Sequence, residues 1–491
     1  MLVKVGKIKL AIIGVGPHAK RVYVPALNKL REEYSVELSL TVDLKGKEED
    51  LNDYFKSQEI KPKTMLFVAP FEGKIPSKLR RELNGQVVRS EIDGVIIATE
   101  PLVHRAYAEW ALDQGLNILM DKPVTTRKNV SSSIVQAKGI EEDYYSLLGK
   151  YKKLQKRKKT IFSINVQRRF SPGTKIVLQL IEEIARKTGC PVTSIQSTHC
   201  DGQWRLPSEI VTQDNHPYNT GYGKVSHSGY HFFDNLYQLY KVSKLTSKVA
   251  DQVQVFSSFV TPRGFIKQIT EKDYPKYFGR EYAKVRKFSD KSLQDIYKNF
   301  GEVDTSANVR FLIEGENVCN ATINLLHNGF SRRTWVRPGK DLYKGNGRVK
   351  HEYHNIEQGP FQNIQIHSYQ SSDKHDLNDA KDFELGGNNH FDIYVFRNIG
   401  IVGGKKPLEV IRARDIARKE RLSSKKLVSE QIKFEVVREF LEFIKVKEKP
   451  KKLTSNIDDH EITVKLMSSV YQSWAQQKAG LNPIVTKEVS F

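Results

Sequence analysis

The segment Lys9–Lys20, KLAIIGVGPHAK, decides how the N-terminal part of this chain folds. Lys9 to Gly14 is a short apolar run ending at glycine, the pattern of a strand buried on both faces in a parallel sheet. Gly14-Val15-Gly16-Pro17-His18-Ala19 then forms a G-x-G-x-x-A turn into a helix with Val22, Ala26 and Leu30 on one stripe. Gly14 permits a tight strand-to-helix turn, Gly16 lets a pyrophosphate approach the backbone, and Ala19 is small enough for close helix–strand packing. Phosphates would meet the free N–H groups of the helix start, where Pro17 has no N–H to leave unused. Alone such a motif is weak, but here a strand precedes it and a helix follows. Val36 to Val42 also alternates as a second strand ending at Asp43, 24 residues beyond Ala19. A carboxylate at that point accepts from both ribose hydroxyls and repels a 2′-phosphate, which favours NAD, while Lys45 and Lys47 leave NADP open.

Outward from this motif, strands and helices alternate. Gly94–Thr99 (GVIIAT) reads as a buried strand, and a helix follows with Ala106, Trp110 and Leu112 inward, capped by Gly115. Asn117–Met120 is the next strand, met at once by Asp121-Lys122-Pro123, and Ile161–Val166 is the last. Residues 1–170 are therefore expected to form an α/β, doubly wound parallel sheet, a Rossmann domain binding NAD(P) beyond the strands' C-terminal ends. Residues 171–491 open with a helix near 173–188 and then change character. Separated strands at Gln252–Val260, Ala307–Ile313, Ala321–Leu326, Asn363–Tyr369 and Asp392–Ile399 predict an α+β domain with one sheet face covered by helices. His327-Asn328-Gly329 reads as a turn, residues 262–300 as a charged insertion, and about 430–480 as C-terminal helices.

Composition narrows the partners. The 491 residues are 39% hydrophobic and 28% charged, which suits large cores and argues against disorder. No apolar run approaches the ~20 residues that cross a bilayer, and Leu10–Val15 is a poor signal peptide, so a cytoplasmic protein off the membrane is expected. Three widely spaced cysteines, Cys190, Cys200 and Cys319, exclude a disulfide framework or a cysteine-built zinc site. The net charge of +22 could serve nucleic acid, a membrane surface or an acidic substrate. The densest basic run, Lys150–Lys159, lacks the interleaved aromatics of a base-stacking platform and reads as a solvated helix face.

Lys122 follows a buried strand on the ligand edge of the sheet, where a partly desolvated ammonium can reach a substrate oxygen beside a nicotinamide. In Gly221–Asp234 (GYGKVSHSGYHFFD), His227 and His231 stand four apart, one helical face. A metal site is not expected, since no third ligand is evident nearby. His231 instead reads as proton acceptor from a substrate hydroxyl, because imidazole titrates near working pH.

Five segments in order make the chain resemble the glucose–fructose oxidoreductase, inositol dehydrogenase and MocA family. They are Gly14–Ala19; Thr99-Glu100-Pro101-Leu102-Val103-His104, with one residue inserted relative to the family pattern; Asp121-Lys122-Pro123; Arg168 to Pro172; and His227-Ser228-Gly229-Tyr230-His231. The resemblance implies an open, mainly antiparallel second-domain sheet and hydride transfer between nicotinamide and a secondary alcohol or ketone of a sugar-like substrate; the face such a sheet leaves needing cover predicts a homo-oligomer (dimer or tetramer). It implies cofactor contacts from Gly14, Val15, Gly16, Pro17, His18, Ala19, Asp43, Thr99, His104, Asp121, Lys122 and Arg169. Lys122 and His231 carry the chemistry, with His227 beside them. Two departures stand out. Asp121 replaces the family's glutamate, and His227 replaces its aspartate, removing an anion that would support a charged His231 or Lys122. A histidine there suits an anionic substrate. Trp204, Asn215, His216 and Tyr218 offer stacking and hydrogen bonds to a sugar, and Arg168 or Arg169 offers a bidentate anion clamp, with Arg332-Arg333 another anion candidate. Two other readings stay open: an NAD-retaining glycosidase or epimerase of the same family, and a non-catalytic binding protein on this fold.

Overall fold

The computed structural model describes residues 6–214, 216–336, 347–372, 382–423, 427–446 and 452–491. The chain divides into two compact units, the first from Met1–Thr126, Ile140–Ser171 and Ser429–Val464, the second from Arg127–Gly139, Pro172–Val428 and Lys465–Phe491.

The first unit holds strands β1 (Ile8–Ile13), β2 (Val36–Leu44), β3 (Thr64–Val68), β4 (Gly94–Ile97), β5 (Asn117–Asp121) and β6 (Phe162–Asn165). They pair in parallel in the order β3-β2-β1-β4-β5-β6. Leu10, Ala11, Ile12, Val95, Ile96, Ile118 and Leu119 are fully buried, as strands covered on both faces must be. Strand order reverses between β1 and β4, so their C-terminal ends open a crevice, the usual ligand position in such sheets.

Two expectations change here. The stretch between Asp43 and Gly94, for which no strand was expected, contains β3 and the helices Glu48–Lys56 and Ser77–Ser90, so Asp121 ends the fifth strand and not the fourth. β3 lies at the sheet edge with four of its five residues only half-buried, and it lacks the continuous apolar run that marked the others. Residues 429–464, assigned from sequence to the second domain, belong to the first unit. The helix Val428–Val446 buries Ile432, Val436, Val437, Phe440, Leu441 and Phe443. Lys29 sits over the Phe434 ring at 4.6 Å, and Lys445 donates to the Glu33 carbonyl at 3.0 Å. An amphipathic pattern announces that a helix needs a partner without saying which one.

The second unit is built on nine strands: β7 (Ser194–Cys200), β8 (Gln252–Val260), β9 (Asp304–Ile313), β10 (Glu316–Leu326), β11 (Arg348–Gln358), β12 (Gln362–Ser372), β13 (Asp392–Arg397), β14 (Leu408–Ile411) and β15 (Val485–Glu488). Their order is β14-β13-β12-β11-β7-β10-β9-β8-β15, antiparallel except for β7 with β10. Helices Pro172–Thr188 and Tyr230–Lys241 cover one face, where Tyr240 stacks on Phe311 at 3.8 Å and Gln358 donates to the Ile181 carbonyl at 3.0 Å. The opposite face exposes Gln196, Asn308, Arg310 and Asn320. Residues 262–300, read as a charged insertion, also bury apolar side chains: Phe265, Ile266, Leu293 and Tyr297 lie in one buried cluster, and Tyr274 stacks on Tyr282 at 4.8 Å. Among the described residues, no helix is long and apolar enough to cross a membrane.

Phe440 is fully buried on the returning helix. Phe440→Ala is expected to destabilise the first unit by about 3–5 kcal/mol in chemical denaturation followed by a probe within that unit. A loss below about 1 kcal/mol would contradict this packing.

Candidate functional site

In the first unit, the ends of β1, β2, β4 and β5 gather the residues expected to hold a dinucleotide. Gly14 takes φ +85°, and a Cβ there would fall 2.7 Å from the Ala98 carbonyl oxygen. Conformation and space both demand glycine. Its N–H donates to the Val42 carbonyl at 2.8 Å, fixing the turn to β2. The helix Pro17–Arg21 starts directly afterwards with Pro17 in its first turn. A Cβ on Gly16 would meet no atom within 4 Å, so the backbone faces the open space that a diphosphate requires. Asp43 accepts from the Val15 N–H and from its neighbour Leu44 N–H, each at 2.7 Å. Those donors fix the carboxylate beside the turn, while each oxygen keeps a lone pair for a ribose hydroxyl. The buried Thr99 Oγ1 has no hydrogen-bond partner among the described residues. These features fit NAD.

Asp121 closes β5 inside a polar cluster. Tyr23 donates its hydroxyl to Asp121 Oδ1, and the Asn165 amide donates to the same oxygen at 3.0 Å and to the Tyr23 oxygen at 2.7 Å. His18 Nε2 lies 3.7 Å from that oxygen, its ring edge-on to Tyr23. Burial opposes the Asp121 charge, but His18 and the hydrogen bonds from Tyr23 and Asn165 outweigh it and hold the carboxyl below its usual range. Burial pushes the His18 imidazole down to about 4 despite Asp121. Lys122 and Pro123 are joined by a cis peptide bond. The buried His104 has Nδ1 2.9 Å from the Pro123 carbonyl and Nε2 3.1 Å from the Thr99 carbonyl. Both ring nitrogens are directed at backbone, so His104 straps the Lys122 turn to the end of β4. Arg169 follows in the turn after β6. Its Nη1 donates to Asp459 at 2.7 Å and to the Thr454 carbonyl at 3.3 Å, its Nη2 to the Asp459 carbonyl at 2.9 Å. It anchors the 454–459 segment. Arg168 is half-buried in the same short turn, Gln167–Phe170.

In the second unit, the histidine segment begins as a π-helical turn, Val225–Gly229, and continues as the helix Tyr230–Lys241. Such irregular turns recur at functional sites, and here the expected simple helical face is broken between His227 and His231. His231 is buried. The His227 ring stands edge-on to His216 at 4.9 Å and to Tyr218 and Tyr222 at 5.4 Å each, while Tyr218 faces His327 at 5.4 Å. Among the described residues, Tyr218 Oη, Tyr222 Oη, His327 Nε2 and Gln203 Nε2 are buried without hydrogen-bond partners. Each such atom costs about 1–3 kcal/mol, which the hydroxyls of a bound polyol would remove. Asn215 lies outside the described residues.

Asp201 lies behind these rings. It pairs with the fully buried Lys224, and His327 Nδ1, His199 Nε2 and Arg348 Nη2 approach it to 3.6, 3.8 and 3.5 Å. Burial opposes the Asp201 charge, but Lys224 and its other neighbours hold the carboxyl well below its usual range. Burial pushes His327 down to about 4 in spite of Asp201. With Nδ1 turned to a carboxylate, the neutral ring presents Nε2 as an acceptor. The sequence reading took His327 for a turn residue and passed over Asp201, Gln203, Tyr222 and Lys224. Asp201 and His327 each follow the last residue of parallel neighbours, since Cys200 of β7 pairs with Leu326 of β10, a proximity visible only once the strands are paired. Trp204 and Arg333, two of the expected ligand contacts, also take part in packing. Trp204 lies on Phe265 at 5.2 Å between two apolar clusters, and Arg333 donates to both Glu209 oxygens at 2.8 and 2.9 Å. No group of three or more potential metal ligands occurs among the described residues.

Comparison with known proteins matches residues 8–138 to a family model described as an oxidoreductase family with an NAD-binding Rossmann fold. No curated protein matches the chain. Similar solved structures include an oxidoreductase from Agrobacterium radiobacter in complex with NAD+, L-tartaric acid and magnesium, at 11% identity and TM-score 0.57, covering 98% of both chains. Another is an aldose-aldose oxidoreductase from Caulobacter crescentus complexed with glycerol, at 14% identity and TM-score 0.54, covering 99% of this chain and 100% of that one. A third is the WlbA dehydrogenase from Bordetella pertussis in complex with NADH and UDP-GlcNAcA, at 11% identity and TM-score 0.54, covering 99% of this chain and 98% of that one. At these identities the likeness establishes the fold.

His18 and His327 each titrate near 4 in the folded chain, against an ordinary value near 6.5. Between these values the unfolded chain binds protons that the folded chain does not, so these two rings make stability rise with pH from about 4 to about 6.5. Denaturation across that window should show a shallower pH slope in the His18→Gln/His327→Gln double variant than in the wild type. An equal slope would place the charged rings outside their buried settings.

Proposed function

We propose, on the premise that residues 8–138 belong to the glucose–fructose oxidoreductase, inositol dehydrogenase and MocA family, that this chain is an NAD-dependent dehydrogenase or reductase acting on a secondary alcohol or ketone of a sugar-like substrate. The observation that carries this reading is the convergence, on one sheet edge, of the Gly14–Ala19 turn, the fixed Asp43 carboxylate and the Asp121–Lys122 turn. Nicotinamide, when bound, accepts or returns the hydride. Lys122 would hold the reacting oxygen by donating to it. His231 would take the hydroxyl proton as the carbonyl forms and return it in the reverse direction. Tyr218, Tyr222 and His327 would bind the remaining hydroxyls through their buried polar atoms, with His227 packed among their rings.

An anionic group on the substrate is supported by the net charge of +22 and by His227, which stands where the family carries an aspartate. Two of the similar structures hold polyhydroxy acids or their derivatives, L-tartaric acid and UDP-GlcNAcA. The uncovered polar face of the nine-stranded sheet suits a homo-oligomer, a dimer or tetramer whose mass light scattering would give.

Native mass spectrometry of the purified protein is expected to reveal bound NAD or NADH, and polyols and sugar acids should be screened for reduced-nicotinamide absorbance. With an active substrate, Lys122→Met should lower kcat by about 10²–10⁴-fold and keep NAD+ affinity within several-fold, as for loss of a proton-handling group. His231→Gln should do the same and abolish the pH dependence of kcat. A chain that neither carries nor binds NAD would reject the reading, and full turnover in Lys122→Met would reject the assigned role.

A further inference from the structure

Lys433 has no part in the chemistry above, yet the fold of the first unit delivers it to the cofactor edge. Glu430, one turn earlier on the helix Val428–Val446, pairs with Arg21 Nε at 3.4 Å. That contact lays this face of the helix against the turn following the glycine motif. On the adjoining face, Phe434 lies under the Lys29 ammonium at 4.6 Å. Lys433 follows Glu430 at i+3 on the same side, and its side chain is half-buried. The charges acting on its ammonium come from Arg21, Asp121, Lys122 and Glu430, and its own charge acts on His18. These residues border the Gly14–Ala19 turn and the end of β5.

The nearby carboxylates are already engaged, Asp121 by Tyr23 and Asn165 and Glu430 by Arg21. No hydrogen bond or ion pair among the described residues holds Lys433. Burial, with Arg21 next, pushes its ammonium down to about 8. A half-buried cation beside two other cations, with no carboxylate within ion-pairing distance among the described residues, is a site that an anion would complete.

We propose that Lys433 is a cofactor-binding residue whose ammonium donates to the diphosphate of the bound dinucleotide. This rests on the dinucleotide reading of the Gly14–Ala19 turn. The ligand side is chemically specific, because the diphosphate is the dinucleotide's only anion, and the groups at the other positions on this edge carry no negative charge: ribose hydroxyls at Asp43 and the nicotinamide beside Lys122. A C-terminal helix thereby contributes to a site otherwise built from the N-terminal βα turns.

The test is calorimetric binding of NAD+ and of ADP-ribose, which keeps the diphosphate and lacks nicotinamide, to wild-type protein and to Lys433→Met and Lys433→Arg, with thermal unfolding of each. Lys433→Met should weaken both ligands alike by about 10–100-fold, the range for one charged hydrogen bond, and flatten the salt dependence of binding. Lys433→Arg should restore most of the affinity. In the wild type, NAD+ should also protect Lys433 from amine acylation, read by peptide mass spectrometry, a measurement that needs no variant to fold. Unchanged affinities in Lys433→Met, a loss confined to NAD+, or acylation unaffected by NAD+ would each overturn the proposal. A wild type that binds neither ligand would instead overturn the dinucleotide reading beneath it.

Discussion

Asp121 ends β5 with its carboxylate buried against the Tyr23 hydroxyl, the Asn165 amide and the His18 ring. Those partners come from the helix Tyr23–Tyr34, from β6 and from the helix Pro17–Arg21, so one carboxylate links the glycine turn to the sheet edge. A buried charge is tolerable only when its lone pairs are satisfied, and here the satisfying groups set where the next residue, Lys122, begins. His104 completes the fixation from the far side by bridging the Thr99 and Pro123 carbonyls. Pre-organisation of this kind lets a lysine hold a reacting oxygen without reordering at each turnover.

The second unit solves a related problem differently. Its covered sheet face is not uniformly apolar: Ser197, Glu352 and His354 form a buried hydrogen-bonded row, and Asp201 and Lys224 neutralise each other nearby. Lys224 buried beside Asp201 keeps that carboxylate charged, and the carboxylate in turn faces the Nδ1 side of His327. The polar atoms left over include those of Tyr218, Tyr222 and His327, whose rings lie against His227 or one another, and such unmet hydrogen-bonding capacity marks a ligand position in an otherwise dense interior.

Much of this was legible in the residues. Strands buried on both faces announce themselves as apolar runs, and the Gly14–Ala19 turn and Asp121-Lys122-Pro123 could be placed because each directly follows such a run. β3 was not legible, because an edge strand is only half-buried. β11 (RVKHEYHNIEQ) was missed because its inward side includes Glu352, His354 and Gln358, which satisfy one another or nearby backbone and leave no apolar alternation. The protein partners of His104 and Arg169 were hidden for another reason. Side chains drawn from short motifs carry no information about partners distant in sequence, and Arg169 found Asp459, 290 residues away. The same limit hid Lys433 and the pairing of Asp201 with His327.

The account stands on a nicotinamide dinucleotide lying along the β1–β2–β5 edge. An experimental structure with NAD+ bound tests this directly. The account predicts adenosine ribose hydroxyls hydrogen-bonded to Asp43, the diphosphate against the Gly14–Ala19 backbone, and the nicotinamide beside Lys122. A dinucleotide bound elsewhere, or lying on this edge with its ribose away from Asp43 and its nicotinamide away from Lys122, would contradict it.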